Sequence, residues 1–222
     1  MIQNLEPGAR ARHRHTDGYL ALVLSGRYDE VGDTGRLSVE PGDVVYHRRC
    51  EAHANQIQAS CTVLNIPAPG SVDLPPHFRI ACPDDLIKVA KLAWSDVSEV
   101  LIPLETRPAR IVDWCDHLAL ELQNRPIRLQ QWARDNGIRS ESVSRRFKQV
   151  YGVSPARYRL EAQTRLALDM LVKQTGSLAD IALKARFSDQ AHMSRAVKTL
   201  TGKPPAVWRR VNSVQDARSR TA

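Results

Sequence analysis

The sequence predicts an α+β chain: a small N-terminal β-barrel, a linker helix, and an all-α C-terminal half with two helix-turn-helix units joined by a long helix. Three observations carry this reading. Short β-prone runs punctuated by Gly and Pro fill residues 8 to about 67. From Pro108 to Trp208 the chain reads as helix. Within that half one sentence is written twice, as "SVSRRFKQVYGVSPARYR" at 142–159 and "MSRAVKTLTGKPPAVWRR" at 193–210. At a shift of fifty, Ser144, Arg145, Lys148, Gly152, Pro155, Ala156 and Arg159 fall on Ser194, Arg195, Lys198, Gly202, Pro205, Ala206 and Arg209. The apolar set Val143, Phe147 and Val150 falls on Met193, Val197 and Leu200. A fixed internal period marks a duplicated supersecondary unit, and two copies are too few for a solenoid.

Composition narrows the class. The 222 residues are 42% hydrophobic, enough for one large or two modest cores. No apolar run approaches the roughly 18 residues of a membrane span. The opening "MIQNLEPGARARHRH" lacks the apolar stretch of a secretory signal, so a cytoplasmic chain without a membrane partner is expected. Cys50, Cys61, Cys82 and Cys115 are scattered with no C-x-x-C pair, which reads as reduced thiols. The net charge of +8 is uneven: residues 1–107 hold 11 Lys and Arg against 14 Asp and Glu, and 108–222 hold 21 against 10. A basic excess on patterned segments points to nucleic acid as the partner of the second half.

In chain order, "GYLALVLSGRYDEV", "GRLSVEPGDVVYHRR" and "CTVLNIPAP" are the strand signals of a first domain, residues 1–67. The Pro-rich "PAPGSVDLPPH" reads as the start of a linker, 68–107. Within it, "PDDLIKVAKLAWSDVSEVLI" places Leu86, Ala90, Ala93, Val97 and Val100 on one helical stripe, with acids in the first turn. Residues 108–212 form the helical domain, and 213–222 a polar, frayed tail. Trp94 and Trp114 are core residues in this reading.

In the first copy of the duplicated unit, "LQQWARDNG" is a short helix with Leu129, Trp132 and Ala133 on one face, stopped by Gly137. Ser140 has the chemistry of an N-cap for a second helix. Two short helices across a tight Gly turn make a helix-turn-helix, whose second helix enters the major groove. With Val143, Phe147 and Val150 inward, Glu141, Ser144, Arg145 and Lys148 face outward. Arg suits bidentate contacts to guanine, and Lys and Ser suit phosphates. In the second copy, Leu178, Ile181 and Ala182 match the first helix at a shift of 49, so one turn residue has been gained. Its outward set is Gln190, His192, Ser194, Arg195 and Lys198. Between the copies, "SPARYRLEAQTRLALDMLV" reads as a helix N-capped by Ser154, with Pro155 in its first position and Tyr158, Ala162, Leu166 and Met170 inward. About 19 residues make roughly 28 Å, near the roughly 34 Å of one DNA turn.

These motifs, "LQQWA", "VSRRFKQVYGVSPARY", "RLALDML", "LADIAL", "FSDQAHMSRAVK" and "GKPPAVWRR", resemble the AraC/XylS family of bacterial transcription regulators from about Arg110 to Arg210. The resemblance implies a DNA-binding regulator with both recognition helices in adjacent major grooves, and double-stranded DNA, RNA polymerase and a second copy of the chain as partners. The stripe on 84–101 matches the family's dimerisation helix; packing on the barrel is the alternative. Arg186 stands where the second turn usually carries Gly, Val197 where Phe is usual and Met193 where Leu is usual. The second unit is therefore expected to be the less firmly built.

In the first domain, "GARARHRHTDGYLALVLSG" sets His13 and His15 just before a strand signal, and "EPGDVVYHRRCEAHAN" sets a Pro-Gly turn before His53. The pair resembles the two cupin motifs, with Tyr19 where a metal-binding cupin has Glu. AraC-type regulators carry such barrels as effector domains. The resemblance brings His13, His15 and His53 together inside the barrel, and imidazoles at i and i+2 share a strand face. Three neutral imidazoles suit Zn, Fe, Ni or Cu, so a divalent transition metal is the candidate cofactor. The same histidines could instead line a polar effector pocket with Tyr19, Tyr28 or Tyr46, or be structural. His47 and Cys50 fit no clear ligand spacing. The functional expectation is a sequence-specific, effector-controlled regulator rather than an enzyme. A metal-dependent cupin enzyme fused to a DNA-binding domain, and an architectural DNA binder, are the alternatives.

Overall fold

The computed structural model describes residues 1–69, 72–173 and 176–209, so the tail expected at 213–222 lies outside the described residues. The first part of the chain comprises β1 (Ile2–Leu5), β2 (Gly8–Arg14), β3 (Tyr19–Gly32), β4 (Gly35–Val39), β5 (Asp43–His47), β6 (Ala52–Pro67), β7 (His77–Ile80), α1 (Pro83–Val89), α2 (Trp94–Val100) and β8 (Pro103–Thr106). These eight strands make one antiparallel sheet in the order β1-β6-β3-β5-β7-β8, with β2 also on β6 and β4 also on β3. Two long strands, β3 with 14 residues and β6 with 16, therefore serve both halves. Flat strands of that length would extend about 45–50 Å, so they must bend. The bend lies where the β3–β6 register shifts between Val23 and Tyr28. Gly26 sits there at φ +74°, and a Cβ at this position would come within 2.3 Å of the Ser60 carbonyl oxygen. Only glycine fits.

Side-chain alternation gives this sheet two cores. On one face lie Leu20, Leu22, Val44, Tyr46, Leu64, Ile66, Phe78 and Ile80; on the other Ala21, Val23, Val45, Tyr28, Leu37, Val39, Ile57 and Val63. Leu86 of α1, Val97 of α2 and Leu101 close over the first face. Burying Leu86 and Val97 contributes about 1.5–3 kcal/mol each, which is why residues 68–107 do not behave as a linker. They supply two strands and a helical cover to the sheet. The single helix expected over 84–101 is two short helices with a break between Val89 and Trp94.

The rest of the described chain is helical: α3 (Trp114–Asn124), α4 (Leu129–Asp135), α5 (Ser140–Tyr151), α6 (Pro155–Val172), α7 (Leu178–Lys184) and α8 (Gln190–Thr201). The chain divides into two compact units. One holds Met1–Leu120 with Arg128–Ser154, that is the sheet together with α4 and α5; the other holds Glu121–Ile127 and the chain from Pro155 onward. In the first unit the sheet reaches the helices through Asp116, which is 3% exposed. Its Oδ1 accepts from Arg36 Nε of β4 at 2.7 Å and from the Tyr151 hydroxyl of α5 at 2.8 Å. Its Oδ2 accepts from the backbone N–H groups of Val112 at 2.8 Å and Asp113 at 3.1 Å. Burial alone would raise the carboxyl's pKa, but these four donors outweigh it and hold it below the usual value. A second contact joins β2 to the end of α5. Arg12, whose Nη2 donates to Asp33 Oδ1 at 2.6 Å, lays its stem against Gly152. A Cβ on Gly152 would lie 3.1 Å from Arg12 Cβ, at a position already in the left-handed region at φ +74°.

The duplication is exact in length: α4 and α7 span 7 residues each at a shift of 49, and α5 and α8 span 12 each at a shift of 50. Both turns close identically, Ile138 N–H on Ala133 O and Phe187 N–H on Ala182 O, each at 2.8 Å. Three details differ from expectation. Ser140 is the first helical residue of α5, preceded by Arg139 with no side-chain cap, whereas α8 is capped by Asp189, which accepts from His192 N. Tyr151, not Val150, completes the buried side of α5, anchored by its hydroxyl. In α6 the buried stripe is Tyr158, Glu161, Thr164, Leu168 and Leu171, because strict i+4 spacing drifts away from a 3.6-residue turn. Of the expected set only Tyr158 is fully buried; Ala162, Leu166 and Met170 are half-buried.

Two predictions arise. Removing Asp116 takes one charge-assisted hydrogen bond from Arg36, which keeps Asp113, and another from Tyr151, a loss of about 3 kcal/mol. Asp116→Ala should lose that much in urea unfolding at pH 7. Since the folded pKa is depressed, the stabilisation is present above the unfolded value of about 3.9 and disappears as pH falls through the folded value; the gap between wild type and variant should close below about pH 4. Arg186 sits at φ +65°, the conformation of its counterpart in the first turn, Gly137 at +66°. A non-Gly residue there costs about 1–2 kcal/mol, against which stand its hydrogen bonds to Gln123 O at 2.9 Å and from Gln163 at 3.1 Å. Only the first is lost in Arg186→Gly, which should therefore unfold at higher urea than wild type.

Candidate functional site

The two recognition helices each bury one side and expose the other. In α5, Val143, Phe147 and Tyr151 are buried while Glu141, Ser144, Arg145 and Lys148 are exposed. In α8, Met193 and Val197 are buried and Gln190, Arg195 and Lys198 exposed, with His192 and Ser194 half-buried. Among the described residues neither Arg145 nor Lys148 is engaged in an ion pair, so both cations are available to an anionic partner. His192 differs: its Nδ1 lies 3.2 Å from Ser188 Oγ and its ring stands edge-on to Phe187 at 5.1 Å. Arg195 also borders a groove of about 200 Å³ between α6 and α8.

The second site is a pocket of about 300 Å³ on the sheet, lined among others by His13, His15, Tyr19, Tyr28, His47 and His53. Strand register builds it. β2 pairs His13 with His53 of β6, and β3 pairs Tyr19 with His47 of β5 and Gly32 with His53. Four imidazoles converge: His53 lies 4.4 Å from His13, 5.3 Å from His15 and 4.3 Å from His47, ring centre to ring centre. Tyr19 stacks on His47 at 4.6 Å and meets His15 at 4.8 Å. Tyr46, expected beside them, is on the other face. Val45 and His47 point toward the pocket side, so Val44 and Tyr46 must point into the core under α1 and α2. Cys50 is buried at a turn with φ +62° and does not line the pocket.

Two residues that sequence reasoning left aside belong to this constellation. His47, 3% exposed, is reached through β5, and Glu30, 1% exposed, stands in phase with Tyr28 on β3. The i, i+2 relation of Tyr28 and Glu30 was the available signal. Burial, then repulsion from neighbouring carboxylates, pushes the Glu30 carboxyl up to about 8. Burial and the neighbouring imidazoles pull His47 down to about 3 and lower His53 further; His15 is lowered for the same reasons. Burial also raises the Tyr19 and Tyr28 hydroxyls. Burial thus disfavours the charged forms of His15, His47 and His53, and neutral imidazole is the state that ligates metals. Two groups of donors have ligand atoms all within 4.8 Å of one another: His13, His15 and His53, and Glu30, His47 and His53.

Duplicated helix-turn-helix units with free basic outer faces define a DNA-binding protein. Residues 132–211 match the family model of a helix-turn-helix domain. The chain therefore carries a helix-turn-helix region. Similar solved structures include the C-terminal domain of AraT, a response regulator from Geobacillus stearothermophilus, 21% identical over 46% of this chain and 88% of that one, with a TM-score of 0.43. Unsaturated fatty acid bound ToxT from Vibrio cholerae is 11% identical over 93% of this chain and 92% of that one, at 0.40. An AraC-type transcriptional regulator from Chromobacterium violaceum is 27% identical over 38% and 75%, at 0.35. No helix among the described residues is long and apolar enough to cross a membrane.

The pocket depends on one close backbone approach. A Cβ on Gly32 would come within 2.7 Å of Ala52 O and 2.8 Å of His53 Cβ. Gly32→Ala must therefore push β6 aside, at about 1–3 kcal/mol for overpacking. The loss should appear in thermal unfolding, and the His53 ring resonances should shift in NMR spectra.

Proposed function

We propose that the chain is a sequence-specific transcription regulator acting in the cytoplasm on double-stranded DNA, controlled by a small molecule or metal ion taken into the sheet pocket. The observation that carries the DNA reading is the matched pair of exposed polar sets on helices of equal length. Glu141, Ser144, Arg145 and Lys148 form the first, and Gln190, His192, Ser194, Arg195 and Lys198 the second. In this reading Arg145 and Arg195 contact bases and Lys148 and Lys198 contact phosphates. The effector set is His13, His15, Tyr19, Tyr28 and His53, with His47 in place of the Tyr46 first expected; His13, His15 and His53 are also the rim at which a metal ion would enter. The barrel acts by binding and not by catalysis. RNA polymerase and a second copy of the chain complete the set of partners. Exposed Ile87, Leu92, Ile102 and Leu104 near α1 and α2 favour the second copy.

Effector control has a physical route within the first unit. β2 carries His13 and is followed directly by His15, both of which line the pocket, with Arg12 just before them and Arg14 between them. Arg12 is the residue that rests on Gly152 at the end of α5. A ligand that repositions β2 is felt at the recognition helix, by a coupling of about 1–3 kcal/mol in typical regulators.

The test is a binding selection from random DNA, followed by affinity measurements on the selected site and on unrelated sequence. Arg145→Ala and Arg195→Ala should each cost about 1–3 kcal/mol on the selected site and relax preference at one position. Lys148→Ala should weaken all sequences alike and reduce the salt dependence. If no sequence is enriched, or Arg145→Ala binds the selected site as wild type does, the reading fails.

A further inference from the structure

Glu30 poses a problem that the surrounding protein leaves unsolved. Its Oε1 is fully buried and has no hydrogen-bond partner among the described residues; its Oε2 accepts only a long bond from Asn55 Nδ2, at 3.4 Å. The next groups are His47 Nε2, 3.7 Å from Oε2, and His53 Nδ1, 4.0 Å from Oε1. Both separations are too long for hydrogen bonds, and His53 Nδ1 is likewise buried without a partner. Unpaired polar atoms in a core are costly, and a cluster of them aimed at one another calls for a shared partner.

We propose that Glu30, His47 and His53 bind one divalent first-row transition-metal ion, set deeper in the sheet than the His13–His15 rim. Three strands, β3, β5 and β6, supply one ligand each. Metal–ligand bonds near 2.0–2.2 Å put two ligands of one ion about 3.0–3.5 Å apart, so donor atoms that already lie within 4.8 Å of one another close with small side-chain rotations. The ion gives both orphaned atoms, Glu30 Oε1 and His53 Nδ1, their partner. Asn55 then holds the second oxygen of that carboxylate, a role that commonly tunes ligand basicity. Two imidazoles with one carboxylate select Zn, Fe, Co, Ni or Cu, since Mg and Ca seek all-oxygen shells. Three protein ligands leave coordination positions for a further ligand, and the pocket with His15 and Tyr19 adjoins them. The proposal names the effector chemistry of the pocket and rests on the regulator reading for its consequence, not for the binding itself.

The full chain, stripped with chelator, is titrated with Zn²⁺ and with Co²⁺, following heat and the visible bands of bound Co²⁺. One equivalent per chain is expected. Glu30→Gln and His47→Gln should each weaken binding at least about 10–100-fold, the range already seen when mere supporting groups are removed. His13→Ala should bind within a few-fold of wild type. Circular dichroism of the metal-free variants checks that they fold. Anomalous diffraction from Zn²⁺-loaded wild-type crystals needs no variant: a peak bonded to Glu30, His47 and His53 supports the site. No stoichiometric binding overturns the proposal, as does a peak on His13 and His15 or a His13→Ala loss with Glu30→Gln unaffected. DNA affinity with and without Zn²⁺ separates the two readings. A metal-free protein that still selects a DNA sequence defeats only the ion; an ion bound without any DNA selection defeats only the regulator.

Discussion

The first unit is organised around a single buried carboxylate. Asp116 collects a guanidinium from β4, a phenol from α5 and two backbone amides at the start of α3. The donors come from three parts of the chain, so none of these parts can shift without leaving a buried charge under-coordinated. Arg36 also reaches Asp113, at 3.2 Å, and Arg146 of α5 reaches the same oxygen at 3.4 Å. The recognition helix of the first copy is thereby fixed to the sheet at its C-terminal end. Its exposed residues Glu141, Ser144 and Arg145 lie toward the other end of the helix, free of these contacts. A buried network of this kind is strong when complete and costly when broken.

The sheet owes its two functions to period-2 alternation along strands long enough to serve both halves. On β5 the sequence Val44, Val45, Tyr46, His47 feeds two faces in turn, one packed under α1 and α2 and one opening to the pocket. Bending at Gly26 and the close approach at Gly32 let β3 pair with β6 along most of its length. Gathering a carboxyl among imidazoles in one place is costly when charged: burial disfavours the charged forms of His47, His53 and Glu30 alike.

What the sequence made legible was local or repeated. The duplicated unit was legible because helix faces and turn residues recur at a fixed shift, and Arg186 stood out as the odd member of a pair, although the cap expected at Ser140 and the inward Val150 were not found. His13, His15 and His53 were legible through motif spacing. The rest depended on register between distant strands. Nothing near His47 announces that Tyr19 pairs with it, and nothing near Glu30 announces that His53 lies across from Gly32. The cover formed by α1 and α2 was hidden for a related reason. Leu86 and Val97 have helical spacing whether their helix is free or packed, and the Pro-rich stretch before them reads as a linker. β1, β7 and β8 have only four residues each, and the mostly exposed residues of β1, β2 and β8 carry little alternation.

The two copies of the helix-turn-helix, equal in length, are held by different means. The first relies on a Gly turn, an uncapped α5, and polar anchorage through Tyr151 and Gly152 to groups of the sheet unit. The second relies on local devices: a capping box of Ser177 with Asp180 on α7, an Asp189 cap on α8, and a strained Arg186 turn tied by its side chain to Gln123 O. Loss of Phe at position 197 thins its core, and Trp208, whose indole donates to Thr201 Oγ1 at 3.0 Å, closes the end of α8 instead. Local caps stabilise a helix wherever it sits, whereas the anchors of α5 act only while the sheet presents Asp116 and Arg12 in register. The two copies thus share helix lengths and exposed polar faces while their supports differ, and the anchorage of α5 depends on groups of the sheet in its own unit.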